Sequence, residues 1–84
     1  MTNKQDLTLY HFASCPFCVR VRRYLMDEGI TIQEKDIQQD SDARQELMTI
    51  GGKTQVPCLV IAGKPLYESF NIVKWFETNK DQLK

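Results

Sequence analysis

The sequence predicts an α/β domain: a four-stranded mixed sheet flanked by three helices, in the order β-α-β-α-β-β-α. Three observations carry that prediction. Two short apolar runs with strand-like alternation, residues 7–12 and 30–35, bracket a stretch of helical spacing at 19–28. A nearly continuous apolar run, residues 56–62, is followed at once by Gly63-Lys64 and a short returning segment, Pro65-Leu66-Tyr67. A final stretch from Ser69 carries Phe70, Val73, Trp75 and Phe76 at helical spacing and fades near Asn79.

Residues 1–6 are polar, and fraying is expected there. Residues 7–12 (LTLYHF) alternate and are rich in aromatic and β-branched types, as a strand buried on at least one face should be. Pro16 suits a first helical position, where its missing N–H costs nothing, and this puts Cys15 at the N-cap. Cys18, Val21, Leu25 and Met26 then give the helix its predicted inner face, and Gly29 closes it. Residues 30–35 (ITIQEK) form the second strand, and 36–40 a turn. Asp40 or Ser41 caps a second helix running to about Thr49, with Gly51-Gly52 ending it and Lys53-Thr54-Gln55 forming a loop. Pro57 stands at the start of the third strand, a position a central strand tolerates. Gly63-Lys64 is the expected hairpin turn and Ser69 the expected cap of the last helix, with Trp75 and Phe76 in the core. The strand–helix–strand unit of the first half calls for a parallel pair.

With 84 residues, 1–84 should form one small domain. The 11 basic and 11 acidic side chains cancel, so no net field argues for nucleic acid or an anionic membrane as partner. Arg20, Arg22 and Arg23 cluster locally as a solvated helix face. No stretch approaches membrane-spanning length, and the first residues lack a signal-peptide core, which leads to the expectation of a cytoplasmic monomer.

In a reducing compartment, Cys15-Pro16-Phe17-Cys18 at a strand-to-helix junction is the pattern of a redox dithiol. The start of a helix offers unpaired N–H groups and the positive end of its dipole, both favouring a thiolate. Cys15 is therefore expected to be the nucleophile. Cys18, one turn further in, is the resolving thiol. Two other readings exist: cysteines that merely pack, or a zinc site made by Cys15, Cys18, Cys58 and His11. Structural zinc sites use two compact ligand pairs, and Cys58 stands alone, so redox chemistry leads and Cys58 is expected to pack behind the site. Ligands of open α/β sheets bind beyond the carboxyl ends of parallel strands, where the dithiol falls. Val56-Pro57 could join it. A cis bond there would turn the Val56 backbone to a peptide-like substrate; a trans bond would simply begin a strand. Glu68-Ser69 offers either a plain helix cap or a site for a zwitterionic γ-glutamyl head, with Glu68 holding the ammonium group and the helix start the carboxylate.

Taken in order, Cys15-Pro16-Phe17-Cys18, Gln55-Val56-Pro57 and Glu68-Ser69 resemble the glutaredoxins, which have the thioredoxin fold. The resemblance implies glutathione as cosubstrate and reductant with no metal, a cis bond at Pro57, and reduction of protein disulfides and glutathionylated proteins through a glutathione mixed disulfide. It implies catalytic roles for Cys15 and Cys18 and glutathione contacts for Phe17, Gln55, Val56, Pro57, Glu68 and Ser69. Phe17 takes an aromatic place that is commonly tyrosine. Residues 66–72 (LYESFNI) look instead like the N-terminal domain of glutathione transferases. Phe12 stands where many glutaredoxins have a lysine near the glycine carboxylate, for which Lys53 or Gln55 could substitute. Alternatives are a redoxin coupled to thioredoxin reductase, a non-catalytic glutathione-binding module and an iron–sulfur carrier.

Overall fold

Residues 4–83 are described by a computed structural model, and the expectation for residues 1–3 lies outside them. After a short 3-10 turn at Lys4–Asp6 come β1 (Leu7–His11), α1 (Pro16–Asp27), β2 (Gln33–Asp36) and α2 (Ser41–Gly51). Then follow β3 (Cys58–Ile61), β4 (Lys64–Tyr67), α3 (Ser69–Asn79) and a closing 3-10 turn at Lys80–Gln82. The sheet order is β2-β1-β3-β4. β1 runs parallel to β2 and antiparallel to β3, and β3 pairs antiparallel with β4. The predicted four-stranded mixed sheet is therefore the one found.

Strand alternation divides the core in two. Leu7, Leu9 and Leu59 meet Val21 and Leu25 of α1 and Ile72 and Phe76 of α3 on one face. Tyr10, Cys58 and Val60 meet Ala43 and Leu47 of α2 on the other. Trp75 is only partly buried against the first cluster and packs edge-on to Phe76 with ring centroids 5.2 Å apart. Ile30 and Ile32 reach that core too, although strand pairing begins only at Gln33, later than the alternation suggests.

Local chemistry explains the element ends. Gly29 takes φ +68°, its N–H reaches the Met26 carbonyl (3.1 Å), and the Ile30 N–H reaches that of Leu25 (2.9 Å). This paired closure, with Leu25 and Ile30 both in the core, stops α1 sharply. Asp40, not Ser41, caps α2: its carboxylate accepts the N–H groups of Asp42 (2.9 Å) and Ala43 (3.3 Å). α2 runs two residues past Thr49, to Gly51, and closes on Gly52 at φ +74°.

Three expectations are corrected. Met26 is 78% exposed, because it follows Leu25 by 100° around α1 and leaves the stripe made by Cys18, Val21 and Leu25. The hairpin turns on Ala62-Gly63 rather than Gly63-Lys64: both have positive φ (50° and 86°), which the right-handed strand twist favours, and Lys64 already pairs with Ile61. Ser69 is the first residue of α3 rather than its cap; Glu68 holds the cap position at φ 72° and makes no side-chain capping bond. Phe70, on the outer side of that first turn, is 70% exposed.

Candidate active site

Cys15 closes the turn after β1, with its N–H donating to the Phe12 carbonyl at 3.2 Å. Its backbone is extended (φ −82°, ψ 112°) and Pro16 begins α1, as the sequence leads one to expect. The Cys15 Sγ accepts the Cys18 N–H at 3.3 Å, so one of the orphan donors of the helix start points at this sulfur. Cys15 is 6% exposed, Cys18 not at all, and both are free thiols. Burial and the neighbouring Cys15 side chain push the Cys18 thiol up to about 12, against weaker opposing pulls from the Phe12 backbone and Arg22. Cys58 is fully buried at the start of β3 on the α2 face, where burial raises its thiol to about 11. It packs. His11, by contrast, ends the alternation of Leu7 and Leu9, and among the described residues no group of three or more His, Cys, Asp or Glu could hold a metal ion.

The peptide bond between Val56 and Pro57 is cis. Phe17, Gln55, Val56, Pro57, Glu68 and Ser69, the six residues singled out beside the dithiol, all line one cleft of about 440 Å³. Gln55 Nε2 donates to Glu68 Oε1 at 3.4 Å, which ties the loop to the start of α3 across it. Ser69 is 6% exposed. Because Glu68 supplies no capping bond and the first helical bond is Ile72 N–H to the Glu68 carbonyl (3.0 Å), the earlier N–H groups of α3 lack side-chain partners. That is a better seat for a carboxylate than a capped helix would be.

Arg20, which the sequence reading places on a solvated helix face, lines the same cleft. One further cation, Arg44, escaped sequence reasoning. Arg44 lines a second hollow of about 430 Å³ together with Phe12, Ile37, Gln38, Ser41 and Thr54, just before Gln55 in the chain. Its place on α2, a turn past the cap, was readable, but the approach of α2 to this loop was not. Lys53, one of the two substitutes suggested for the absent lysine, instead lies over the Tyr67 ring, 4.4 Å from its centroid.

A dithiol at the start of α1, in a mixed sheet ordered β2-β1-β3-β4 with a cis proline leading into β3, defines a dithiol protein of the thioredoxin-fold class. The glutaredoxin family model matches residues 7–66. The chain is 30% identical to glutaredoxin 3 of Escherichia coli over 56 residues, covering 67% of this chain and 68% of that protein. The chain belongs to the glutaredoxin family, whose members are thiol–disulfide oxidoreductases. A hybrid peroxiredoxin of Haemophilus influenzae is 26% identical over 87% of this chain. Among solved structures, glutathione transferase Omega 3C of Trametes versicolor superposes with a TM-score of 0.80 at 31% identity over 95% of this chain. The chain spans only 30% of the hybrid peroxiredoxin and 36% of the transferase.

Proposed function

We propose that this chain is a glutathione-dependent thiol–disulfide oxidoreductase, with Cys15 as nucleophile and Cys18 as resolving thiol. The observation that carries the reading is the Cys18 N–H donated to Cys15 Sγ, at a helix start whose next residue, Phe17, borders the cleft lined by Val56, Pro57, Glu68 and Ser69. Family membership and the glutathione transferase likeness support the choice of glutathione.

The Cys15 thiolate attacks the glutathione sulfur of a mixed disulfide. The S–S bond breaks, its electron pair leaves with the protein thiolate, and that thiolate takes a proton from water. Cys15 is left disulfide-bonded to glutathione. A second glutathione thiolate then attacks the glutathione sulfur on Cys15, releasing glutathione disulfide and regenerating the Cys15 thiolate. With a protein disulfide as substrate, the Cys15 thiolate attacks one of its sulfurs, forming a mixed disulfide and releasing the other sulfur as a thiolate. Cys18 then loses its proton, attacks the Cys15 sulfur, expels the second substrate thiolate and closes Cys15–Cys18, which two glutathiones reopen with release of glutathione disulfide.

In the cleft, the bound tripeptide pairs its backbone with Val56 and stacks against Phe17 and Pro57. Its γ-glutamyl carboxylate takes the free N–H groups of α3 beside Ser69, and its ammonium group takes Glu68. Gln55 holds Glu68 in place. The glycine carboxylate, which lacks a lysine at Phe12, reaches Arg44. Each chain carries the full set, so a monomer suffices, and a reducing compartment such as the cytoplasm supplies the glutathione.

Mass spectrometry of Cys18→Ser treated with glutathione disulfide tests this reading. It requires one glutathione adduct, mapped to Cys15. An adduct confined to Cys58, or none at all, contradicts it.

A further inference from the structure

The cleft contains more than glutathione needs. Arg20 and Phe70 line it alongside the six residues already assigned. Arg20 lies one turn beyond Phe17 on the same side of α1. It is exposed, and among the described residues no carboxylate lies within ion-pairing distance of it, whereas Arg22, two residues on, is held by Glu34 at 2.7 Å. The one other charged residue lining the cleft is Glu68, already engaged by Gln55. Phe17 on α1 and Phe70 on α3 stand 57% and 70% exposed at its walls. A solvated Leu is ordinary; two phenyl rings and an unpaired guanidinium around one cleft are not. Together they match a ligand segment that brings apolar area and a negative charge.

We propose that Arg20 and Phe70 seat the protein half of the mixed disulfide, selecting substrate cysteines flanked by acidic and apolar residues. The inference rests on the proposed glutathione chemistry and names the substrate class of that same site. With the tripeptide on Val56 and Ser69, the leaving cysteine and its neighbours fall on the side of the cleft that glutathione does not fill. Arg20 pairs there with an acidic side chain, while Phe70 covers the apolar neighbour. A partly shielded ion pair of this kind shifts kcat/KM by about threefold to tenfold, and screening by salt reduces it.

The test compares two glutathionylated peptides that differ only in having Glu or Lys on both sides of the cysteine, each with a Leu next to it. Glutathione and its reductase supply the turnover readout. The wild type should prefer the Glu peptide by about threefold to tenfold at low ionic strength, with the preference shrinking as salt is added. Arg20→Gln should abolish the preference and Arg20→Glu reverse it; because a ratio is read, a loss of total activity does not blur the result. Phe70→Ala should raise KM for both peptides by about fivefold with kcat little changed. Equal rates for the two peptides in the wild type, or a Glu preference that survives Arg20→Glu, overturns the proposal. If the wild type also fails on the small mixed disulfide of glutathione with 2-mercaptoethanol, whose leaving half is uncharged, the glutathione reading itself falls and this inference falls with it.

Discussion

The Cys18 amide donates to the Cys15 sulfur at 3.3 Å, so the dithiol is linked by a hydrogen bond while both residues are free thiols. The bond marks the two sulfurs as unequal. Cys15 receives the donor, while Cys18 and Cys58 are fully buried with thiols raised to about 12 and about 11. In the free dithiol those two are held protonated and shielded, so they react slowly with an outside electrophile at neutral pH. Iodoacetamide at pH 7 is therefore expected to modify Cys15 first, with the other two slower by about tenfold or more. Peptide mapping against time checks this; first modification at Cys58 is the contrary result.

His11 is buried at the end of β1 with its Nδ1 unpartnered and its Nε2 3.9 Å from Glu34 Oε1, near the charges of Arg22 and Asp36. Burial, aided by Arg22, lowers its pKa below the ordinary 6.5, while Glu34 and Asp36 oppose this less strongly. The unfolded chain then takes up a proton near pH 6.5 that the folded chain refuses. Stability is full above that pH and falls below it, by up to about 1.4 kcal/mol per pH unit. Urea unfolding between pH 7.5 and 5.5 should show this slope in the wild type and lose most of it in His11→Gln. An unchanged slope in the variant contradicts the assignment.

Gly51 ends α2 directly beneath Tyr67, and a Cβ there would overlap the Tyr67 hydroxyl. In an open helix Ala is favoured over Gly by about 1 kcal/mol. Here the clash should win, so that Gly51→Ala costs about 1–3 kcal/mol and lowers Tm by about 4 °C or more. The Tyr67 hydroxyl has no hydrogen-bond partner among the described residues, so Tyr67→Phe removes the obstacle at little cost. Adding Gly51→Ala to Tyr67→Phe should recover most of the lost Tm; an equal loss in both backgrounds would contradict the contact.

The two helix starts should also separate. Asp40→Ala removes a side chain that bonds two N–H groups and should cost about 1 kcal/mol. α3 has no side-chain cap to lose, so Ser69→Ala should leave the denaturation midpoint closer to wild type. Equal destabilisation by the two substitutions would return Ser69 to the capping role the sequence suggests.

That contrast shows what the residues alone could reveal. Cys15 at the cap and Pro16 after it follow from local rules, since proline fits a first helical turn and little else in a helix. The alternation of Leu7 with Leu9 and the apolar run into β3 likewise display the sheet and its two faces. Glu68 at φ 72° does not follow from its residue type, because a carboxylate side chain gives no sign that its backbone is left-handed. Ala62 hides its positive φ in the same way, which displaced the hairpin by one residue. Arg20 follows Phe17 by one helical turn, so its side of α1 was legible, whereas the hollow that Arg44 shares with Phe12 and Thr54 depends on the docking of α2, which no local pattern encodes.

The most direct test of the account is glutathione-coupled reduction of a mixed disulfide by the wild type, Cys15→Ser and Cys18→Ser, with thioredoxin reductase replacing the glutathione system in a parallel run. Turnover with glutathione in the wild type and in Cys18→Ser, and none in Cys15→Ser, is the expected pattern. Activity that survives in Cys15→Ser, or that appears only with thioredoxin reductase, would contradict it.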